Sequence, residues 1–270
     1  MTGLGGASAL AKGGKSKSQS ELAQILADRN LDNSVRYVIN NSLFTIYHEV
    51  GHLLVDQHEW PILGREEDVA DNFATYTLLS QRRRSYHEAL KDSALGWKLE
   101  DEAYGRRNNP SDYYNEHSLD LQRAYQIVCM LVGEDRETFY QTAQEWRIDR
   151  DRQVGCRADY QQISRSFEQL LSPFLNATEE ARVTIEYETA GEELSLAYKT
   201  LRDSRLLESV AEDLRQNYGL TQDIKITASA CGEPNAFYDS SNVEIIMCYE
   251  LLDDYFTIVS RYMARNGGNL

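Results

Sequence analysis

Residues 43–57 are apolar on nearly every face. Leu43, Phe44, Ile46, Tyr47, Val50, Leu53, Leu54 and Val55 leave no wide polar stripe, which predicts a helix running through the interior of the protein. Asp32, Asn33 and Ser34 supply the start signal for that helix. A second helix is expected from Arg65 to about Arg84, with Val69, Phe73, Tyr76, Leu78 and Leu79 inward. Helical period continues over 85–105 in more polar form, and Asn108-Asn109-Pro110-Ser111-Asp112 reads as a loop. Residues 112–133 read as a loop and a helix, and further helices are expected over Arg136–Trp146 and Arg157–Leu175.

The pattern then changes period. Val183-Thr184-Ile185-Glu186-Tyr187-Glu188 alternates every second residue, as a half-buried strand does. A helix over 193–217 follows, with Leu206, Leu207, Val210 and Leu214 inward. Ile224–Ala228, Asn235–Tyr238 and Val243–Cys248 read as strands, the last two joined by a turn at Asp239-Ser240-Ser241-Asn242. A final helix runs from Tyr249 to about Arg265. The fold class expected is therefore α+β, mainly helical with a small mixed sheet. Residues 1–18, rich in Gly, Ser and Lys, read as a flexible tail, and 20–26 as a short amphipathic helix. Residues 19–270 are expected to form one domain, with a helical part over 19–176 and a strand-containing part over 177–270.

Inside the apolar helix lie His48-Glu49-Val50-Gly51-His52, an H-E-x-x-H box. Helical spacing puts His48 and His52 on one face, where both imidazoles can reach a single ion, with Glu49 beside the ion's open side. Two imidazoles and a carboxylate in so apolar a segment would be costly without coordination. After a chain reversal marked by Pro61 and Gly64 comes Glu67-Asp68-Val69-Ala70-Asp71. On a second helix, Glu67 can be the third ligand while Asp71 accepts a hydrogen bond from the far nitrogen of a ligand histidine. Glu66 and Asp68 compete for the ligand role, and Glu67 is preferred because it alone has an acid four residues on.

Two histidines, one carboxylate and one water complete a tetrahedral catalytic zinc site. The arrangement resembles the gluzincin metallopeptidases, which implies one Zn²⁺, a peptide or protein substrate and Glu49 as general base. A second donor is needed for the oxyanion; His117 is the first candidate, with Arg123 and Tyr249 behind it. Over 43–80, 112–175 and 182–256 the chain is similar to a bacterial family of zinc metallopeptidases with unassigned substrates. That similarity rests on the box, Leu63-Gly64-Arg65-Glu66-Glu67-Asp68, Glu116-His117-Ser118-Leu119-Asp120, Cys231-Gly232-Glu233-Pro234-Asn235-Ala236-Phe237-Tyr238 and Cys248-Tyr249-Glu250-Leu251. It implies a zincin-like fold whose edge strand borders the active-site cleft. In such a fold Asn235, Ala236 and Tyr238 bind substrate by backbone pairing. In that family the edge strand precedes the zinc helix, whereas here it follows, so the segment order reads as circularly permuted. The alternative is a catalytically inactive zinc-binding interaction module derived from a metallopeptidase, or a helical domain in which the box is coincidental.

A formal charge of −15 argues against nucleic acid and anionic membranes as partners, and Arg82-Arg83-Arg84 reads as a solvated helix face. No run has the length of a membrane span or the form of a signal peptide. The four cysteines lack close C-x-x-C spacing. Cys231 and Cys248 flank a hairpin and Cys129 and Cys156 lie on neighbouring helical stretches, so those pairings are expected. If they form, a secreted or periplasmic setting is favoured, and the lack of a signal-peptide pattern leaves the compartment open.

Overall fold

The computed structural model describes residues 22, 24–28, 31–105, 114–174 and 181–270. The tail expected over 1–18 and the loop expected at 108–112 lie outside the described residues. Helix α1, Asn33–Gln57, is capped by Asp32, whose carboxylate accepts from the backbone N–H of Ser34 and Val35. That satisfies two of the donors a helix start leaves open. All but two of residues 37–55 of α1 are buried, so the apolar pattern does mark an interior helix.

Four helices surround or extend from α1: α2 (Glu66–Ser80), α3 (Arg84–Tyr104), α4 (Asp120–Glu134) and, after the short α5 (Tyr140–Glu145), α6 (Arg150–Leu171). Helix α1 packs directly on α2 and α3, and α4 closes the bundle against α3 and α6. The second helix stops at Ser80, earlier than its sequence pattern suggests, because Arg82 takes a left-handed conformation (φ 48°) and turns the chain into α3. Helix α6 begins at Arg150, seven residues before the expected start, where Asp149 caps it through the N–H of Arg152.

The strand-containing part forms a mixed four-stranded sheet in the order β1-β2-β4-β3, from β1 (Val183–Tyr187), β2 (Ile224–Ser229), β3 (Ala236–Asp239) and β4 (Glu244–Cys248). β1, β2 and β4 run parallel, with Val183 opposite Ile224 and Lys225 opposite Glu244. β3 lies antiparallel to β4 at the edge, Phe237 facing Ile246. The helix expected over 193–217 is two helices, α7 (Ser195–Asp203) and α8 (Leu206–Asn217). Arg205, at φ 57°, breaks the helical path between them, and the buried Ser204 hydroxyl accepts from the Leu206 N–H. The chain is thus mainly helical with a small mixed sheet, an α+β arrangement.

β4 runs straight into α9, Tyr249–Arg265, which lies against α1; Thr45 and Tyr255 hydroxyls meet at 2.9 Å. One apolar cluster runs from Leu22 through α1 and the sheet to Val259, so helical and strand parts share a core. The sulfurs of Cys129 and Cys156 are bonded, joining α4 to α6, and those of Cys231 and Cys248 are bonded across the approach to β3. No described helix is long and apolar enough to cross a membrane.

Candidate metal centre

The site is built where α1 and α2 come closest. Gly51, between the two box histidines, faces Ala70 of α2: a Cβ added there would stand 2.8 Å from the Ala70 Cα. Glycine normally weakens a helix interior by about 1 kcal/mol. Here its missing side chain lets the two backbones approach, and the approach brings the start of α2 within reach of His48 and His52. Gly51→Ala is expected to push the helices apart by a few tenths of an ångström, costing about 1–3 kcal/mol and weakening metal binding. Thermal unfolding and a metal-competition titration read both, and a variant unchanged in both would contradict this account of the contact.

The first turn of α2 carries Glu66, Glu67 and Asp68, a favourable place for carboxylates at the positive end of a helix. Glu67 Oε2 lies 3.1 Å from His48 Nε2 and 3.4 Å from His52 Nε2, and the two Nε2 atoms are 3.1 Å apart. The far nitrogens are engaged: His48 Nδ1 donates to Asp71 Oδ1 at 2.8 Å, and His52 Nδ1 donates to Glu66 Oε1 at 2.8 Å. A carboxylate only accepts, so both Nδ1 atoms carry the proton in the neutral rings and both Nε2 atoms present lone pairs. With both rings neutral, three lone-pair donors face one another with no hydrogen among them, an arrangement that repels unless a cation, either a proton or a metal ion, joins it. Their separations match the edges of a zinc tetrahedron with bonds of about 2.0–2.1 Å, roughly 3.3 Å. The donor set fits a divalent metal.

Without a metal, a proton on His48 Nε2 takes the cation's place and is donated to Glu67 Oε2. Burial opposes charge on His48, but Asp71 and Glu67 outweigh it and raise its pKa to about 9. Burial also works against the Glu67 carboxylate, yet the surrounding His117, His48 and His52 rings hold it far below the usual carboxylate range. The carboxyl of Glu49 is pushed up, first by burial, with His48 and His52 pulling the other way. His48 and Glu49 are each only 5 % exposed.

Beside the donors opens a cleft of about 1020 Å³, lined among others by His48, Glu49, His117, Arg123, Asn235 and Ala236. A family model described as "Putative metallopeptidase" matches residues 14–171 and 187–267. The chain belongs to that family. No curated protein and no solved structure matches it.

Within this metallopeptidase family member, the residues singled out from sequence sort as follows. Glu66 and Asp68, the rival ligands, are turned to other work: Glu66 orients His52, and Asp68 accepts from the Ser118 hydroxyl at 2.7 Å. His117 Nε2 lies 2.9 Å from Glu67 Oε2 with its side chain 43 % exposed, and it stands outside the tight set formed by His48, His52 and Glu67. Arg65 Nη1 donates to the His117 carbonyl at 3.2 Å, so the start of α2 also seats the His117 segment.

Tyr249 is turned away, its hydroxyl donating to the Glu188 carbonyl. Asn235 and Ala236 border the cleft, whereas the Tyr238 hydroxyl donates to Asp56 at 2.7 Å near the end of α1. Arg123 is drawn to Asp71 rather than standing free as an oxyanion donor, with Nε and Nη2 each 2.7 Å from a carboxylate oxygen. Sequence reasoning missed Glu66 as a partner of His52; the signal was the adjacent acid pair at the helix start, which places carboxylates on two neighbouring faces.

Proposed function

We propose that the protein is a zinc-dependent peptidase of the gluzincin type in a zincin-like fold. The observation that carries this reading is the convergence of three donors, His48, His52 and Glu67, beside a cleft that His48 and Glu49 help to line. Bound there, zinc supplies Lewis acidity, polarising a carbonyl and lowering the pKa of a water toward about 7. Glu49 takes the proton of the attacking water and passes it to the departing amine; its burial-raised pKa suits a group that must both accept and give. Asp71 holds His48 in the tautomer that leaves Nε2 free. His117 lines the cleft and donates toward developing charge on the scissile carbonyl.

The edge strand β3 borders the cleft, and backbone pairing with an extended peptide of any sequence falls to Ala236, whose N–H now donates to the Asn235 side chain. Asn235, just before the strand, has its own carbonyl taken by the Cys248 N–H and contributes its side chain. Residues 19–270 act as one unit in this reading, because α1 and α2 supply the ligands and β3 lies at the rim of the cleft. A circularly permuted segment order is part of the same reading and is favoured by the packing of α9 on α1; end-to-end collinearity of this chain with its family would refute it.

Metal analysis of the purified protein, with digestion of a peptide library in the presence and absence of chelator, tests the proposal. Stoichiometric zinc with chelator-sensitive cleavage is expected. Stoichiometric zinc without cleavage would favour the inactive binding module instead. His117→Ala is expected to lower turnover about 10²-fold with zinc content unchanged; zinc loss in that variant would make His117 a support of the metal rather than a catalytic donor.

A further inference from the structure

Arg123 comes from α4, yet its guanidinium is part of the construction around His48. Its Nε donates to Asp71 Oδ2 and its Nη2 to Asp71 Oδ1, both at 2.7 Å, while Asp71 Oδ1 also receives the His48 Nδ1 proton at 2.8 Å. The guanidinium lies over the Trp97 ring of α3, with Cζ 3.5 Å from the ring centroid. Arg123 is 7 % exposed and Asp71 6 % exposed, so these bonds form largely out of water.

We propose that Arg123 is a positioning residue for the metal centre: by clamping both oxygens of Asp71 it fixes the orientation of His48 and so sets the affinity for zinc. The inference rests on the reading of His48, His52 and Glu67 as metal ligands. A carboxylate held only by His48 would turn easily about its last torsion, which is broad and nearly two-fold. The two-pronged bond removes that freedom, and the stack on Trp97 fixes the plane of the prong itself. Charge matters as well. Glu49 and Asp71 are buried beside the partly buried Glu67, and the Arg123 guanidinium, bonded to both oxygens of Asp71, offsets one of these three carboxylates. Four helices therefore meet in one chain of contacts, Trp97 to Arg123 to Asp71 to His48, and the last member aims its lone pair at the ion.

Lysine keeps the charge but offers no planar fork, and methionine keeps the bulk without charge. The experiment measures zinc dissociation constants by competition with a chromophoric chelator. It compares the wild type, R123K, R123M and D71N with the double variants that combine D71N with each Arg123 change. R123K and R123M are expected to weaken zinc binding about 10–100-fold. In the D71N background either change should cost less than about threefold more, because the clamp acts through Asp71. Cobalt(II) added in place of zinc should show altered d–d bands in R123K, a signature that loss of general stability would not produce.

Zinc affinity of R123K within about twofold of wild type would overturn the proposal, as would an equal loss with and without D71N. If R123M fails to fold, by far-ultraviolet circular dichroism, R123K and its double variant carry the comparison alone. Wild-type protein that takes up no zinc would overturn the metal-centre reading and this proposal together. Tight binding by wild type and R123K alike would overturn this proposal only.

Discussion

Glu49→Gln is expected to abolish peptide hydrolysis while leaving the metal in place. Glutamine has nearly the shape of glutamate, and the residue is 5 % exposed, so packing in α1 changes little. The three donor atoms belong to His48, His52 and Glu67, and the substitution touches none of them. What disappears is the group that takes a proton from water, a contribution of about 10²–10⁴-fold to turnover. Zinc content measured beside peptide cleavage separates the two roles. Activity within about tenfold of wild type, with zinc retained, would remove Glu49 from the mechanism.

The same base predicts a pH dependence. Its folded pKa is raised by burial, and a general base works only when deprotonated, so activity should fall as pH drops through a value above the ordinary carboxylate range. An acid limb at or below that ordinary range in Glu49-containing protein would argue against this assignment.

The second large effect concerns the carboxylate on α2. Glu67→Ala is expected to weaken zinc binding by well over about 100-fold, more than changes outside the ligand set typically cost. Removal leaves two imidazoles 3.1 Å apart with no anion to complete the set. Glu66→Ala is the informative control, because Glu66 touches only the far nitrogen of His52 among the box residues and is much more exposed, with its side chain 47 % accessible. That variant should lose about tenfold or less. Chelator competition on both proteins reads the difference, and the reverse order of effects would make Glu66 the ligand and Glu67 its support.

The position of the box on an interior helix could be read directly from sequence, since a helix with apolar residues on all sides of His48 and His52 is stable only when other elements enclose it. The strands near 183–188, 224–228 and 243–248 were equally readable from their period. Helix ends were less so. Arg82 and Arg205 turn the chain through left-handed backbone, which no preference of arginine announces. The roles of Glu66, Glu67 and Asp68 could not be separated by spacing alone, because consecutive helical residues differ only in the direction they face and that direction depends on how α2 docks. Arg123 was legible as a cation near the site but not in its task. Its partner Asp71 lies 52 positions away, and nothing local in either segment encodes the meeting.

By itself, then, the order of residues determined the helical and strand periods, the paired imidazoles one turn apart and the acidic start of the next helix, because these depend on local geometry repeated along the chain. The tertiary structure decided which carboxylate faces both rings, that Gly51 lets α1 and α2 touch, that Arg123 seizes Asp71, and that Asn235 and Ala236 border the same cleft as Glu49. Those outcomes depend on the relative placement of elements tens of residues apart, which packing of the shared core fixes and local pattern does not.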